Sequence, residues 1–167
     1  MNYLHDIYRM SYIKRYSNVP KLHEESVAEH CFFVAAIVLD LRSQYTFSLE
    51  DALVIAISHD MTEMELNDCP HIIKRKYPQI AEAYAICEEE VANQLPELVA
   101  WGSREFDKVP STVEAKIVQL ADAMQCIQFA HVEVNLGNTG YMKVVYDNSV
   151  RRVRALQEEL QPYARLK

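Results

Sequence analysis

The chain has 167 residues, half of them apolar and a quarter charged, with a formal net charge of −7. That length can bury a core within one domain, expected over 1–167, and the composition excludes a disordered chain. An acidic protein without a basic run has no stripe to follow a phosphate backbone, so a nucleic acid polymer is a poor candidate and is not expected as partner.

The longest apolar stretch, Cys31 to Leu39, is too short to cross a bilayer, so no membrane partner is expected. Met1 to Tyr12 carries no apolar secretory core, and a cytoplasmic protein is the expectation. Cys31, Cys69, Cys87 and Cys126 form no CxxC pair and are expected to pack as thiols. Glycine occurs only three times, which favours helices over a turn-rich fold.

In chain order, Tyr3 to Lys14 has helical spacing of Leu4, Ile7, Tyr8 and Ile13, broken by Ser17-Asn18-Val19-Pro20. Ser26-Val27-Ala28-Glu29 is a capping box that predicts a helix to about Arg42. Ser48 and Asp51 repeat the signature ahead of a buried apolar helix ending at His59-Asp60. A short helical piece from Met61 to Leu66 leads to the turn Asn67-Asp68-Cys69-Pro70.

A brief helix follows from Ile72 to Tyr77, stopped by Pro78, then a longer one from Gln79 to Leu95, ended by Pro96. Trp101 to Pro110 reads as loop or short helix. Ser111-Thr112-Val113-Glu114 is a third capping box, opening the longest helix, Val113 to about Asn135, closed by Gly137 to Gly140. A last amphipathic helix runs up to Pro162. No alternating strand pattern occurs, so the expected fold is all-α.

Three apolar helices carry ionisable residues where the pattern calls for aliphatic ones: His30, the pair His59-Asp60, and Asp122. Burying a lone carboxylate costs several kcal/mol unless it is paired or binds a metal. Two imidazoles and two carboxylates make a plausible octahedral site for a divalent ion, with positions open for water and substrate. Each residue alone also has a plain reading, as a hydrogen-bonded core histidine or a paired aspartate. The order and setting of all four point to a metal.

Three segments carry a resemblance: Ser26-Val27-Ala28-Glu29-His30, Ser58-His59-Asp60-Met61-Thr62-Glu63 and Gln119-Leu120-Ala121-Asp122-Ala123. They resemble the HD superfamily of metal phosphohydrolases, and within it the 5′-deoxynucleotidase and phage dATPase-like branch. Lys14-Arg15-Tyr16 and Asp68-Cys69-Pro70 with Lys74 are similar to further patterns of that branch.

The resemblance implies an all-helical HD-domain bundle, one divalent ion (Co, Mn, Zn or Mg) on His30, His59, Asp60 and Asp122, and a homodimer or larger homo-oligomer. It implies a catalytic carboxylate at Glu63, which the three-residue offset turns to the same face as Asp60. It also places Arg15 and Lys74 at a phosphate, Asp68 at a sugar hydroxyl and Tyr16 at the substrate, where the branch usually has Trp. A metal with two Asp ligands is formally neutral, so a phosphate dianion needs these extra cations.

The function implied is hydrolysis of deoxynucleoside 5′-monophosphates, with a dNTP phosphohydrolase using the same site as its rival. A dinuclear phosphodiesterase would need more histidines between Asp60 and Asp122 than His71 alone. A non-catalytic HD module would be expected to have lost ligands that this chain keeps.

Overall fold

Capping chemistry sets where the helices begin. Ser26 takes the Glu29 amide on its hydroxyl, and the Glu29 carboxylate takes the Ser26 amide at 2.8 Å, which closes the expected box. In the computed structural model, which describes residues 3–165 apart from the side chain of His71, nine α-helices follow in order. They are α1 (Tyr3–Asp6), α2 (Val27–Leu41), α3 (Leu49–Ser58), α4 (Glu63–Leu66), α5 (His71–Lys76), α6 (Pro78–Ala92), α7 (Glu97–Asp107), α8 (Val113–Asn135) and α9 (Tyr141–Leu160). The described residues form no sheet, only two isolated bridges. The expected domain limits, 1 and 167, lie outside the described residues.

Four local expectations are corrected. The first helix stops at Asp6 and tightens into a 3-10 turn, Ile7–Ser11, instead of reaching Lys14. Its last residues bond across the chain instead: Val27 N–H donates to Ile13 O and Arg15 N–H to Glu25 O, both at 3.0 Å. The helix before Pro96 ends at Ala92 rather than Leu95, and Pro78 and Pro96, besides following the ends of helices, open the next ones; Pro78 is the first residue of α6, where its missing N–H is no loss. Thr112, not Ser111, caps α8, while Glu114 reaches away to accept the Ser48 amide at 2.8 Å and so ties α8 to the start of α3.

The fourth correction is α7, a full helix across the segment expected to be loop or short helix. It is stabilised by burial that local sequence does not display: Ala100, Gly102 and Glu105 are buried, and α7 packs on α3. Gly102 allows the close approach. A Cβ there would lie 2.2 Å from Ser58 Oγ and 3.0 Å from Val54 O. Gly102→Ala is therefore expected to destabilise the protein by about 2 kcal/mol through overpacking, read as a lower denaturation midpoint.

Helix α8 is the axis of the bundle, touching α2, α3, α7 and α9. Val34, Val38 and Leu41 of α2, Ile55 and Ala56 of α3, Ile117, Leu120 and Ala121 of α8, and Leu156 and Leu160 of α9 share one core. A second cluster packs Met10, Ile13, Val27, Cys31, Met61 and Met64 beneath the amino-terminal segment. No helix of the described residues is long and apolar enough to cross a membrane, and Cys31, Cys69, Cys87 and Cys126 are all free thiols.

Candidate metal centre and active site

Helices α2, α3 and α8 each bring one buried face to a common point. His30 lies in the first turns of α2, His59 caps the carboxyl end of α3 with Asp60 next to it, and Asp122 sits midway along α8. His30 Nε2 stands 3.2 Å from His59 Nε2, 3.4 Å from Asp122 Oδ1 and 3.6 Å from Asp60 Oδ2, and His59 Nε2 is 3.3 Å from Asp60 Oδ2. Ligand atoms about 2.1 Å from one ion are separated by roughly 3.0–3.4 Å when they are neighbours in an octahedron or tetrahedron. His30, His59 and Asp122 form one such cluster, and Asp60 stands 3.3–3.6 Å from the two imidazoles, where it also groups with His59 and Cys31.

The hydrogen bonds around the rings fix one tautomer. His59 Nδ1 donates to Ala56 O at 2.9 Å, which leaves its Nε2 lone pair facing the centre. His30 Nδ1 has Gln125 Oε1 at 2.9 Å, and the two Nε2 atoms face each other at 3.2 Å, close enough to share one ion. Burial, then the Arg15 charge, holds His30 down at about 3, so it stays a neutral donor. Burial works to raise Asp122, but His30, Arg152 and Arg15 outweigh it and hold the carboxyl at about 2.

Arg15 lies behind His30 rather than in front of it. Its Nη1 is 2.6 Å from His30 Nδ1, donates to Gln125 Oε1 at 2.9 Å, and pairs with Glu25 Oε2 at 3.1 Å. Gln125 in turn donates to Glu25 Oε1. This buried network orients the His30 ring. The loop that carries Arg15 is anchored on α8 by Glu133, fully buried, which accepts the Leu22 and His23 amides and the Asn138 side chain at 2.7–3.0 Å. Glu133→Ala would strand those donors, and a stability loss of about 3 kcal/mol is expected in a denaturant titration.

Tyr16 occupies a left-handed backbone conformation, φ 55°, costly for a bulky residue and concentrated by nature at functional sites. Its ring stacks on Phe129 at 5.1 Å with Arg15 over it at 5.2 Å, so the ring is taken up by the protein. Its backbone amide serves instead as a hydrogen-bond donor to Asp68, whose carboxyl is raised by burial.

Glu63, the first residue of α4, is half-buried, and its Oε2 is shut from solvent with no hydrogen-bond partner. Burial, then the charges of Asp60 and Asp68, push this carboxyl far above its ordinary range. Lys74 pairs with Glu88 at 2.9 Å and lies over the Tyr84 ring, while the Tyr84 hydroxyl holds the Leu66 and Asn67 carbonyls of the turn before Asp68. A cleft of about 590 Å³ opens at His59 between α6 and α7, walled by Thr62, Glu88, Trp101 and Asp107.

The structure thus brings His30, His59, Asp60 and Asp122 together, with Glu63 and Asp68 alongside. It sets Arg15 and the Tyr16 ring behind them and ties Lys74 to a carboxylate. Glu25, Gln125 and Arg152 were not visible as site residues from sequence. Gln125 had one signal, since three residues beyond Asp122 is the same face of α8; Arg152 had none.

An all-helical bundle with this His, His-Asp and Asp set defines an HD-type metal-dependent phosphohydrolase. Residues 2–163 match the family described as YfbR-like 5′-deoxynucleotidase, and the chain belongs to that family. A 5′-deoxynucleotidase of Vibrio vulnificus is 29% identical over 142 residues, 78% of this chain and 73% of that one. Among solved structures, the PH0347 protein of Pyrococcus horikoshii superposes with a TM-score of 0.76 at 22% identity, over 94% of this chain and 93% of its own. The cyanophage S-2L HD phosphohydrolase DatZ, solved with dA and one catalytic Zn²⁺ ion, gives 0.66 at 21% identity, over 95% and 84%.

Proposed function

We propose that the chain hydrolyses 2′-deoxynucleoside 5′-monophosphates to deoxynucleoside and phosphate, with one divalent ion on His30, His59, Asp60 and Asp122. The observation that carries this is the cluster of His30, His59 and Asp122, with Asp60 at 3.3–3.6 Å from both imidazoles, beside a carboxyl, Glu63, whose Oε2 has no protein partner. Bound there, the ion supplies Lewis-acid polarisation of the phosphate. Two imidazoles among four ligands suit Zn, Co or Mn better than Mg.

Glu63 carries the proton. In its protonated form it would give a hydrogen to the 5′ oxygen as water adds to phosphorus and the P–O5′ bond breaks, and it would take one back from the added water. Asp68, set by the Tyr16 amide, accepts a hydrogen bond from a sugar hydroxyl. Tyr16 therefore acts through its backbone rather than as a stacking plate. The cleft beside His59 lies in the size range of small-molecule sites.

Arg15 lies buried behind His30 and Lys74 sits on α5, each offset by its own carboxylate, Glu25 or Glu88. That leaves little positive charge for a triphosphate tail and favours the monophosphate. The family resemblance extends to a homodimer or larger homo-oligomer, for which exposed Phe32, Phe33 and Leu39 on α2 offer an apolar face. Four free thiols suit a cytoplasmic enzyme.

Phosphate release from dAMP, AMP and dATP with Mn²⁺, Co²⁺ or Zn²⁺ tests this reading. Release from dAMP with little from dATP is expected. Silence with every nucleotide and metal would reject it.

A further inference from the structure

Arg152 is the site's third cation, and it differs from the other two. It projects from α9, a helix that contributes none of the candidate ligands, and its Nη1 donates to Asp122 Oδ2 at 2.7 Å. The same carboxylate turns its other oxygen, Oδ1, to His30 Nε2 at 3.4 Å. Asp122 is thus shared, one oxygen toward the metal-binding point and one toward Arg152. The Arg152 side chain remains 47% exposed, against 11% for Asp122 and 14% for Arg15.

Charge accounting gives this arrangement its consequence. A divalent ion with Asp60 and Asp122 sums to zero. Arg15 is neutralised by Glu25 and Lys74 by Glu88, and neither carboxylate belongs to the ligand set. Arg152 alone of these three is paired with a carboxylate whose charge the ion has already balanced. With the ion in place Arg152 is a partly exposed guanidinium whose own partner no longer cancels its charge, with donors left over, although the Asp68 carboxylate alongside offsets the centre as a whole. A phosphate dianion is attracted by such a cation, and a guanidinium can offer it two parallel N–H groups.

We propose that Arg152 is the phosphate-recognising cation of this site, holding the anion next to the metal centre while its Nη1 stays on Asp122. The assignment rests on the phosphomonoester reading above for its substrate, but not for its test. A guanidinium bridging a metal-ligand carboxylate and a substrate oxygen needs both its reach and its planarity, so Lys restores the charge and only part of the binding.

The test uses the metal-saturated full chain and inorganic phosphate as the probe, by calorimetry, with KM and kcat for dAMP alongside. Arg152→Ala is expected to weaken phosphate binding and raise KM by about tenfold or more, the loss of one charge-assisted contact, with a smaller effect on kcat. Arg152→Lys should fall between, and Arg151→Ala, which removes the neighbouring charge on α9, should stay within about twofold of the parent.

A pure brace for Asp122 would behave otherwise: metal affinity would drop in Arg152→Ala, yet phosphate affinity at metal saturation would not. That outcome overturns the proposal, as does a parent protein that binds no phosphate. Should the Ala variant fail to fold, Arg152→Gln gives the same reading. If the parent hydrolyses no deoxynucleotide but its phosphate binding still depends on Arg152, the substrate reading falls and the anion site stands.

Discussion

Glu63→Gln is expected to lower turnover by about 10²–10⁴-fold while metal binding stays close to that of the parent protein. The amide keeps the size and removes the transferable proton. Glu63 contributes no atom to the cluster of His30, His59 and Asp122, so the ion's site survives the change. Steady-state rates with dAMP and metal content per chain check the two halves. Turnover at the parent level in Glu63→Gln removes Glu63 from the mechanism.

The same carboxyl has a signature in the metal-free protein. Its folded pKa is raised, so the folded state keeps a proton that the unfolded chain releases above its ordinary carboxylate pKa of about 4.3. Stability is greatest below that value on this account and falls as pH rises toward the folded pKa. His30, held near 3, acts in the opposite sense and costs stability as pH falls below about 6.5. Comparing Glu63→Gln with the parent isolates the first effect. In chelator between pH 5 and 8, the thermal midpoint of the variant should decline less with rising pH.

The candidate ligand positions stood out in the sequence because each breaks an apolar pattern. His30 follows a capping box that fixes its place one turn into α2, and Asp122 interrupts an otherwise buried run of α8. Such errors against pattern are local, and the four agree because one ion would account for all of them. The residues behind the ligands leave no such trace. Glu25 and Arg15 meet ten residues apart through a loop closed by Ile13 and Val27, and Arg152 meets Asp122 thirty residues on through the packing of α9 against α8. Their chemistry is set by tertiary contact.

The misread elements have the same origin. The α7 segment has ordinary helical composition with Gly102 in its middle, a residue that argues against a helix when only propensity is weighed. In place, the glycine is what lets α7 lie against Ser58 and Val54 of α3, one residue before His59. Phe106 of α7 then packs on the His59 ring at 4.8 Å between centroids. A helix that local pattern leaves undecided from a loop thus supports one wall of the centre. Nothing near Tyr16 in sequence announces Phe129 as its stacking partner either.

His59→Ala is expected to abolish metal binding at micromolar ion and turnover with it. Removing an outer partner of a metal site costs about 10–100-fold in affinity, so removing a ligand costs more. Two readouts separate lost metal from lost fold. The parent gains about 2.7 kcal/mol of stability at an ion concentration of one hundred times its dissociation constant, and the variant should gain none.

In chelator neither protein gains the ion's contribution, and the vacancy left beside Phe106 is what separates them. His59→Ala should therefore remain folded without metal, with a midpoint nearer the metal-free parent than the metal-loaded one. A variant that still shifts its midpoint with added ion would show that Asp60, Asp122 and His30 bind without His59, and the four-ligand assignment would fall.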